Sequence, residues 1–303
     1  MLETFKALSD QCRIRLLAIL MRGEFTVQEL TAIIETGQSR ISHHLKTLTE
    51  AGLLSVKRQG TWSYYSVGDT NKFFVSISEA IALQFEHMPE RNADLAAVAA
   101  VFEERRKKSQ EFFDRHALQW RALSQKLLPL PEYQDRLLMA VPRGARLLEI
   151  GVGTGDLLLK LAEIATVIFG VDHSPAMLEE ARHKVADQPL GCIDLRLGEM
   201  AHLPLPDRSV DCVIANMVLH HAADPIAVLC EIRRVLLAEG LLVIADLARH
   251  ERESARDQLA DQWLGFEEDE LKGWLYSAGF RSVDFINVDA AEGQESVLIV
   301  LSK

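Results

Sequence analysis

Residues 149–155 read Glu-Ile-Gly-Val-Gly-Thr-Gly, and Asp172 closes the next apolar run. Residues 146–150 predict a buried strand, and residues 156–165 predict the helix that follows it. Glycines at the alternate positions 151, 153 and 155 let the backbone between them turn tightly and approach a ligand closely. The spacing is G-x-G-x-G. In the dinucleotide fingerprint G-x-G-x-x-G the third glycine comes one residue later. Asp172 ends the apolar run 167–171, where its carboxylate can accept both hydroxyls of a ribose. Together these features ask for an adenosine-type ligand without a pyrophosphate. Glycines placed for packing alone are the competing reading, and the segments downstream weigh against it.

Past Asp172 the chain alternates helical and strand patterns. His173-Ser174-Pro175 precedes a helical pattern at 177–186, with Ser174 as cap and Pro175 at its first position. A short strand at 195–197 leads to Gly198-Glu199-Met200. The buried run 210–215 carries Asn216 at its carboxyl end, the ligand-facing edge of an open α/β sheet. His220 and His221 follow. A helix at 226–236 and a strand at 241–245 come next, with Asp246 just past the strand. Residues 283–288 and 296–301 form a terminal strand pair.

From about residue 142 onward this pattern resembles the class I S-adenosylmethionine-dependent methyltransferases. The resemblance implies a seven-stranded Rossmann-like domain that binds S-adenosylmethionine or S-adenosylhomocysteine. It implies a site built from Glu149, Gly151, Gly153, Gly155, Asp172, His173, Met177, Glu199, Met200 and Asn216. In that family the acidic residue at position 199 accepts from the adenine amino group, and the apolar residue at position 200 packs on the ring. Methyl transfer from a sulfonium is an in-line displacement, so alignment alone supplies much of the acceleration. A base helps where the acceptor must lose a proton, and the candidates are His220, His221, Asp246 and His250. Each also reads as an ordinary polar residue capping a loop. Trp263, Phe266 and Trp274 are candidates for an acceptor pocket, although their segment reads mostly as an amphipathic helix. Residues 216–221 read Asn-Met-Val-Leu-His-His, without the Asn/Asp-Pro-Pro-aromatic box of nucleic-acid amino methyltransferases.

The first ninety residues have a different character. Helical patterns at 2–8 and 13–22 are followed by a short helix at 27–34 that Thr26 opens. Residues 36–39 turn, and Ser39 opens a helix over residues 40–51. Two alternating segments, 53–58 and 62–67, are joined by Gln59-Gly60-Thr61 as a hairpin. Helix, turn, helix and hairpin make a winged helix-turn-helix. On its second helix Ile41, Leu45 and Leu48 point inward. Gln38, Ser39, Arg40, Ser42, His43 and Lys46 remain for base edges and phosphates, with Lys57 and Arg58 on the hairpin for the adjacent backbone. A solvated polar helix face is the competing reading, and the adjoining wing tilts the balance to DNA.

This segment, over roughly residues 1–88, resembles the ArsR/SmtB family of bacterial transcriptional repressors. The resemblance implies a homodimer on double-stranded operator DNA, with residues 72–88 in the dimer interface. It also implies DNA release on binding an effector, often a metal. The sequence departs from the metal-sensing members. Their cysteine pair falls near residues 26–30, which here read Thr-Val-Gln-Glu-Leu. His43 and His44 are adjacent and point in different directions on a helix, so no two-ligand clamp forms from them. His43 is expected at the DNA or the surface, His44 in packing, and no metal is expected.

Residues 89–141 lack glycine and read as a helical connector or lid. Helices are expected at 94–108 and 110–128, and Phe112, Phe113, His116 and Trp120 form a stripe that serves as core or as a lid. The expected architecture is therefore α/β, with a winged-helix domain at 1–88, a connector at 89–141 and a methyltransferase domain at 142–303.

Composition agrees with folded cores: 48% of the 303 residues are hydrophobic and 25% charged. The net charge of −11 is unevenly spread. Residues 1–90 hold nine Lys/Arg against ten Asp/Glu, whereas residues 36–68 hold four against one. A local basic patch on an acidic chain suits a specific nucleic-acid contact. The four cysteines are scattered, which argues against a disulfide framework. No apolar run is long enough for a membrane span, and a cytoplasmic setting is expected. The reading is a DNA-binding transcriptional regulator whose C-terminal domain takes the adenosyl ligand as signal. The rival is an active methyltransferase on a small organic acceptor that carries a regulatory DNA-binding domain.

Overall fold

A computed structural model describes residues 2–68, 72–120, 122–123, 132–186, 193–289 and 295–303. The end of the helix expected at 110–128, and Cys192, lie outside them. The chain divides into two compact units, Met1–Arg105 and Arg106–Lys303. Residues 89–105 of the expected connector thus belong with the first unit and the remainder with the second.

The first unit opens with helices α1 (Leu2–Leu8) and α2 (Gln11–Leu20). Asp10 caps α2, its carboxylate accepting the Arg13 amide at 3.1 Å. Strand β1 (Phe25–Thr26) leads into α3 (Val27–Ile34). There Thr26 Oγ1 accepts the Glu29 amide, while the Glu29 carboxylate accepts the Thr26 amide at 2.7 Å. This reciprocal pair satisfies donors that the first helical turn leaves open. Helix α4 (Gln38–Glu50) begins earlier than expected: its cap is Gly37, with no side-chain bond, and Ser39 lies inside the first turn. Strands β2 (Leu54–Gln59) and β3 (Trp62–Val67) form the wing, with Gly60 in the left-handed region at φ 60° between them. Strand β1 adds to the outer side of β3, a pairing that two residues are too short to announce by periodicity. Helices α5 (Lys72–Glu86) and α6 (Arg91–His116) follow. The expected interruption near Ser109 is absent, because no glycine or proline stands there to break the helix.

Ile41, Leu45 and Leu48 of α4 are fully buried, as expected, in a core with Leu16, Leu17, Phe25 and Leu30. Truncating one such leucine to alanine costs about 2–5 kcal/mol. Two buried ion pairs tie α6 to this core. Arg15 Nε donates to Asp94 at 2.8 Å, and Arg105 Nε donates to Glu29 at 2.9 Å. The Arg105 guanidinium also lies over the rings of Phe25 and Phe102.

In the second unit a seven-stranded sheet runs in the order β6-β5-β4-β7-β8-β10-β9. Its strands are β4 (Arg146–Ile150), β5 (Val167–Asp172), β6 (Ile193–Leu197), β7 (Val210–Asn216), β8 (Leu236–Leu247), β9 (Val283–Val288) and β10 (Val297–Ser302). The first five positions are parallel and β10 is antiparallel to both neighbours. Helices α7 (Glu132–Ala140), α8 (Asp156–Ala162), α9 (Pro175–Ala186), α10 (Pro225–Val235), α11 (Ser254–Leu259) and α12 (Glu268–Ser277) complete it. This is the Rossmann-like fold that the alternation predicted. Strand order reverses between β4 and β7, so a crevice opens at their carboxyl ends.

Strand β8 differs from expectation. It begins at Leu236 and runs twelve residues, and its pairing with β7 is irregular between Val210 and Cys212. Asp246 consequently lies inside β8, fully buried, and not beyond its end.

Candidate functional site

The crevice at the ends of β4 and β7 holds a cavity of about 290 Å³. Its wall carries Glu149 from β4, Gly151 and Gly153 from the loop, and Asp172 and His173 from the end of β5. Met177, Met200 and Asn216 complete the expected set on the wall. Gly155 and Glu199 do not reach it. Gly155 adopts a left-handed conformation at φ 79° and caps α8, so its contribution is to the turn. Glu199 is half-buried outside the cavity, where its carbonyl accepts the His202 amide at 3.0 Å.

The glycines have separate reasons. A Cβ on Gly151 would stand 2.3 Å from Val218 Cγ2. A Cβ on Gly153 would enter the open cavity, with Trp120 Nε1 its nearest neighbour at 3.9 Å. Asp172 also anchors the loop. Its Oδ2 accepts the Gly153 amide at 2.8 Å and its Oδ1 accepts the Ser174 amide at 2.9 Å. Burial raises its carboxyl above the ordinary value, and His173 and these two amides offset that rise only in part. Ser174 Oγ accepts the Met177 amide at 3.1 Å, the cap that the sequence predicted.

Three wall residues carry buried polar atoms without partners: the acceptors Glu149 Oε2 and Asn216 Oδ1, and the ring nitrogen His173 Nε2. The Glu149 carboxyl is raised well above its ordinary value by burial and by Asp172 and Asp156. Orphaned acceptors of this kind are rare in folded proteins and mark a place where a donor or a cation belongs. An adenosyl ligand with an ammonium group supplies both.

The aromatic stripe is divided between core and cavity. Phe113 and Trp120 face the cavity and meet edge to face at 5.1 Å. Tyr133, Gln134 and Lys160 also line it, and sequence reasoning missed all three. Tyr133 stands at a buried position of α7, a segment in which the sequence carries no site motif.

Of the catalytic candidates only His221 reaches the cavity. His220 lies behind it, its Nδ1 2.6 Å from Asp246 Oδ1. Asp246 Oδ2 accepts the Leu219 and His220 amides, so this buried carboxylate organises the His220–His221 turn from beneath. Asp261, unnoticed in the sequence, completes the group at 3.6 Å from His220 Nε2. Burial opposes a charge on His220, but Asp246 and Asp261 outweigh it and push the imidazole up to about 9. Burial raises the Asp261 carboxyl to about 6. His221 moves the other way: burial and the neighbouring His220 hold it well below its ordinary value. Its Nδ1 lies 3.2 Å from the Ala260 carbonyl, which can only accept. The proton therefore sits on Nδ1, leaving Nε2 as a neutral acceptor.

His250 is buried away from the cavity and held at about 4 by burial. Trp263, Phe266 and Trp274 do not line the cavity either. They pack against one another, and Trp263 Nε1 donates to the Ala222 carbonyl at 2.8 Å. That bond shapes the His220–His221 turn, which is a structural duty.

In the first unit Gln38, Ser39, Arg40, Ser42, His43 and Lys46 are all exposed on α4, and Lys57 and Arg58 lie on β2. His44 is buried, as expected, and burial holds its imidazole below the ordinary range.

Residues 10–56 match the model of the arsR family of bacterial regulatory proteins, and residues 148–244 match that of the methyltransferase domain. An ArsR-type segment and a methyltransferase domain share this chain. The ArsR-type segment is 44% identical over 68 residues to an arsenical resistance operon repressor of Bacillus subtilis, covering 22% of this chain and 65% of that protein. The methyltransferase domain falls within a 159-residue match, 33% identical, to an arsenite methyltransferase of Halobacterium salinarum, covering 50% of this chain and 41% of that protein. The chain thus spans less than two thirds of either relative's length. In solved structures the methyltransferase domain resembles DhpI in complex with S-adenosylhomocysteine (TM-score 0.52, 20% identity, 65% of this chain and 95% of that one). It also resembles the cyclase SpnF (TM-score 0.50, 20% identity, 57% and 80%). At such identities the likeness speaks for the fold alone.

Proposed function

We propose that this chain is a transcriptional regulator whose methyltransferase domain binds S-adenosylmethionine or S-adenosylhomocysteine as its signal. The observation that carries this reading is the pair of buried, unpartnered acceptors, Glu149 Oε2 and Asn216 Oδ1, in a cavity beside the glycine loop. In this reading Glu149 meets the ligand's ammonium and Asp172 the ribose. Met200 packs on the adenine and Gly153 leaves space for the ligand. The ArsR-type unit binds double-stranded operator DNA as a homodimer through the exposed residues of α4 and the basic residues of β2. Exposed apolar Leu2, Phe5 and Leu83 on α1 and α5 support a dimer through these helices. Coupling requires only that the ligand bind the DNA-competent and DNA-free states with different affinity. No described helix is long and apolar enough to cross a membrane. Cys12, Cys212 and Cys230 are unpaired, and we place the protein in the cytoplasm.

A second reading has its own observation. The neutral Nε2 of His221 at the cavity wall suits a base for an acceptor that must lose a proton. The chain would then be a methyltransferase on a small organic acceptor that also binds DNA. Titrating the full chain calorimetrically with each adenosyl ligand, with and without operator DNA, separates the two. The regulator reading expects different ligand affinities in the two titrations. Equal affinities, with turnover of an acceptor, would leave only the enzyme.

A further inference from the structure

The fold places three donors of different chemistry together in the ArsR-type unit. Asp10 caps α2, Cys12 lies in its first turn, and His44 approaches from α4. One carboxylate oxygen, the thiol sulfur and one imidazole nitrogen lie within 4.8 Å of one another. His44 Nδ1 stands 4.0 Å from Asp10 Oδ1, beyond hydrogen-bond reach. His44 is 5% exposed, and neither of its ring nitrogens has a hydrogen-bond partner. A buried imidazole with both nitrogens orphaned calls for an explanation.

We infer that Asp10, Cys12 and His44 form a binding site for a divalent transition-metal ion of the zinc or cobalt type. Sulfur, nitrogen and oxygen in one set suit a borderline ion and not calcium or magnesium, which take oxygen ligands. Three protein ligands leave a fourth tetrahedral position for water. Tetrahedral bonds of about 2.0–2.3 Å bring such donors closer than their present spacing, a contraction that side-chain rotation on two helices supplies. On binding, the Cys12 proton leaves and its thiolate and the Asp10 carboxylate offset the cation's charge.

The surrounding cations do not block the site. Arg15 is committed to Asp94, and Arg13 donates to the carbonyls of Lys6 and Ala7 while its Nη1 stands 4.0 Å from Asp10 Oδ2, the oxygen other than the one that faces His44. Arg40 is exposed, where water screens its charge. The adjacency of His43 and His44 hid this arrangement in the sequence, because the partners of His44 come from a helix more than thirty residues away. The site ties the buried face of α4 to the start of α2 and stands apart from the adenosyl cavity in residues and chemistry.

Cobalt(II) titration of the metal-free full chain tests this. The expected result is one ion per chain with a sulfur-to-cobalt charge-transfer absorption that Cys12→Ser removes. His44→Gln and Asp10→Asn should each weaken binding about tenfold or more. Asn caps a helix as well as Asp does, so Asp10→Asn keeps the fold and decides the matter even where Cys12→Ser disturbs it. The buried His220, His221 and Asp261 group, the other described cluster of this kind, has no sulfur, so cobalt bound there lacks that absorption. The proposal is overturned by absence of the sulfur band under excess cobalt, by its survival in Cys12→Ser, or by unchanged affinity in Asp10→Asn and His44→Gln.

Discussion

Asp172 Oδ2 accepts the backbone amide of Gly153 at 2.8 Å, so the residue expected to hold a ribose also holds the glycine loop against β5. In the proposed reading the same carboxylate also accepts from the ligand's ribose. Removing the carboxylate takes the tether from the loop, and in the proposed reading an acceptor from the ligand as well.

Asp172→Ala should lower affinity for either adenosyl ligand by roughly tenfold to a hundredfold, from about 1.5–3 kcal/mol for a hydrogen bond to a charged group. Gly153→Arg should abolish binding by filling the cavity that the glycine leaves open. Calorimetry on both variants, with circular dichroism to establish the fold, checks this. Wild-type affinity in both would remove the ligand from this cavity.

The paired histidines predict how stability depends on pH. His220 is raised to about 9 in the folded state, from an ordinary 6.5. Its contribution is fully present below the unfolded value and is lost as pH rises through the folded one. Asp261, raised to about 6 from 3.8, acts with the same sign at lower pH: the fold loses stability as pH rises through that range. His250, lowered to about 4, works oppositely and removes stability as pH falls from 6.5 toward 4. Between about pH 6.5 and 9 the His220 effect stands alone among these three and amounts to about 2–3 kcal/mol. Urea unfolding followed in the methyltransferase domain should show that loss, and His220→Gln should flatten it. An equally steep profile in the variant would mean that another group is responsible.

The DNA face yields a different kind of test. Arg40→Ala and His43→Ala should weaken binding to the chain's own operator more than to random duplex, because base edges carry the sequence information. Lys57→Ala should weaken both and reduce the salt slope by about 1. Fluorescence titrations at several salt concentrations read both quantities. A chain that shows no preference between operator and random duplex would end the regulator reading.

What the sequence revealed and concealed has a physical pattern. The glycine loop and the caps at Thr26 and Ser174 are local, so their signals lie within a few residues, and the structure holds them as read. Asp246 lies inside β8 and not just past it because β10 continues the ladder beyond Ala245, pairing Leu298 with Asp246 and Val297 with Leu247, a long-range contact that local periodicity does not show. Asp261 left no trace because it lies in an irregular segment. It reaches His220 only through the return of the chain, where the Gln262 and Trp263 amides bond to the His220 carbonyl. Tyr133 was invisible for the related reason that periodicity identifies a buried face without saying whether it faces core or cavity, and Lys160 because an exposed lysine on α8 reads as an ordinary solvated charge.

The final prediction separates signal from catalysis through His221. Its Nδ1 is bound to the Ala260 carbonyl, so its Nε2 offers a lone pair at the cavity wall near Phe113, whose ring stands 4.9 Å away. The two adenosyl ligands differ by one methyl group and one positive charge at sulfur. A regulator that distinguishes them needs groups that respond to that charge, and a lone pair beside aromatic rings does so. In the regulator reading the ligands should shift operator affinity to different extents, by about 5–150-fold for coupling of about 1–3 kcal/mol. His221→Leu should then change the preference between them without abolishing binding, since Asp172 and Glu149 remain. In the enzyme reading the same variant should slow methyl transfer by about a hundredfold or more while operator affinity ignores the ligand. Parallel measurement of operator affinity and of methyl transfer to acceptors in a cell extract decides between them. Operator affinity unmoved by saturating amounts of either ligand, alongside transfer that His221→Leu abolishes, would make His221 a base and the cavity an active site.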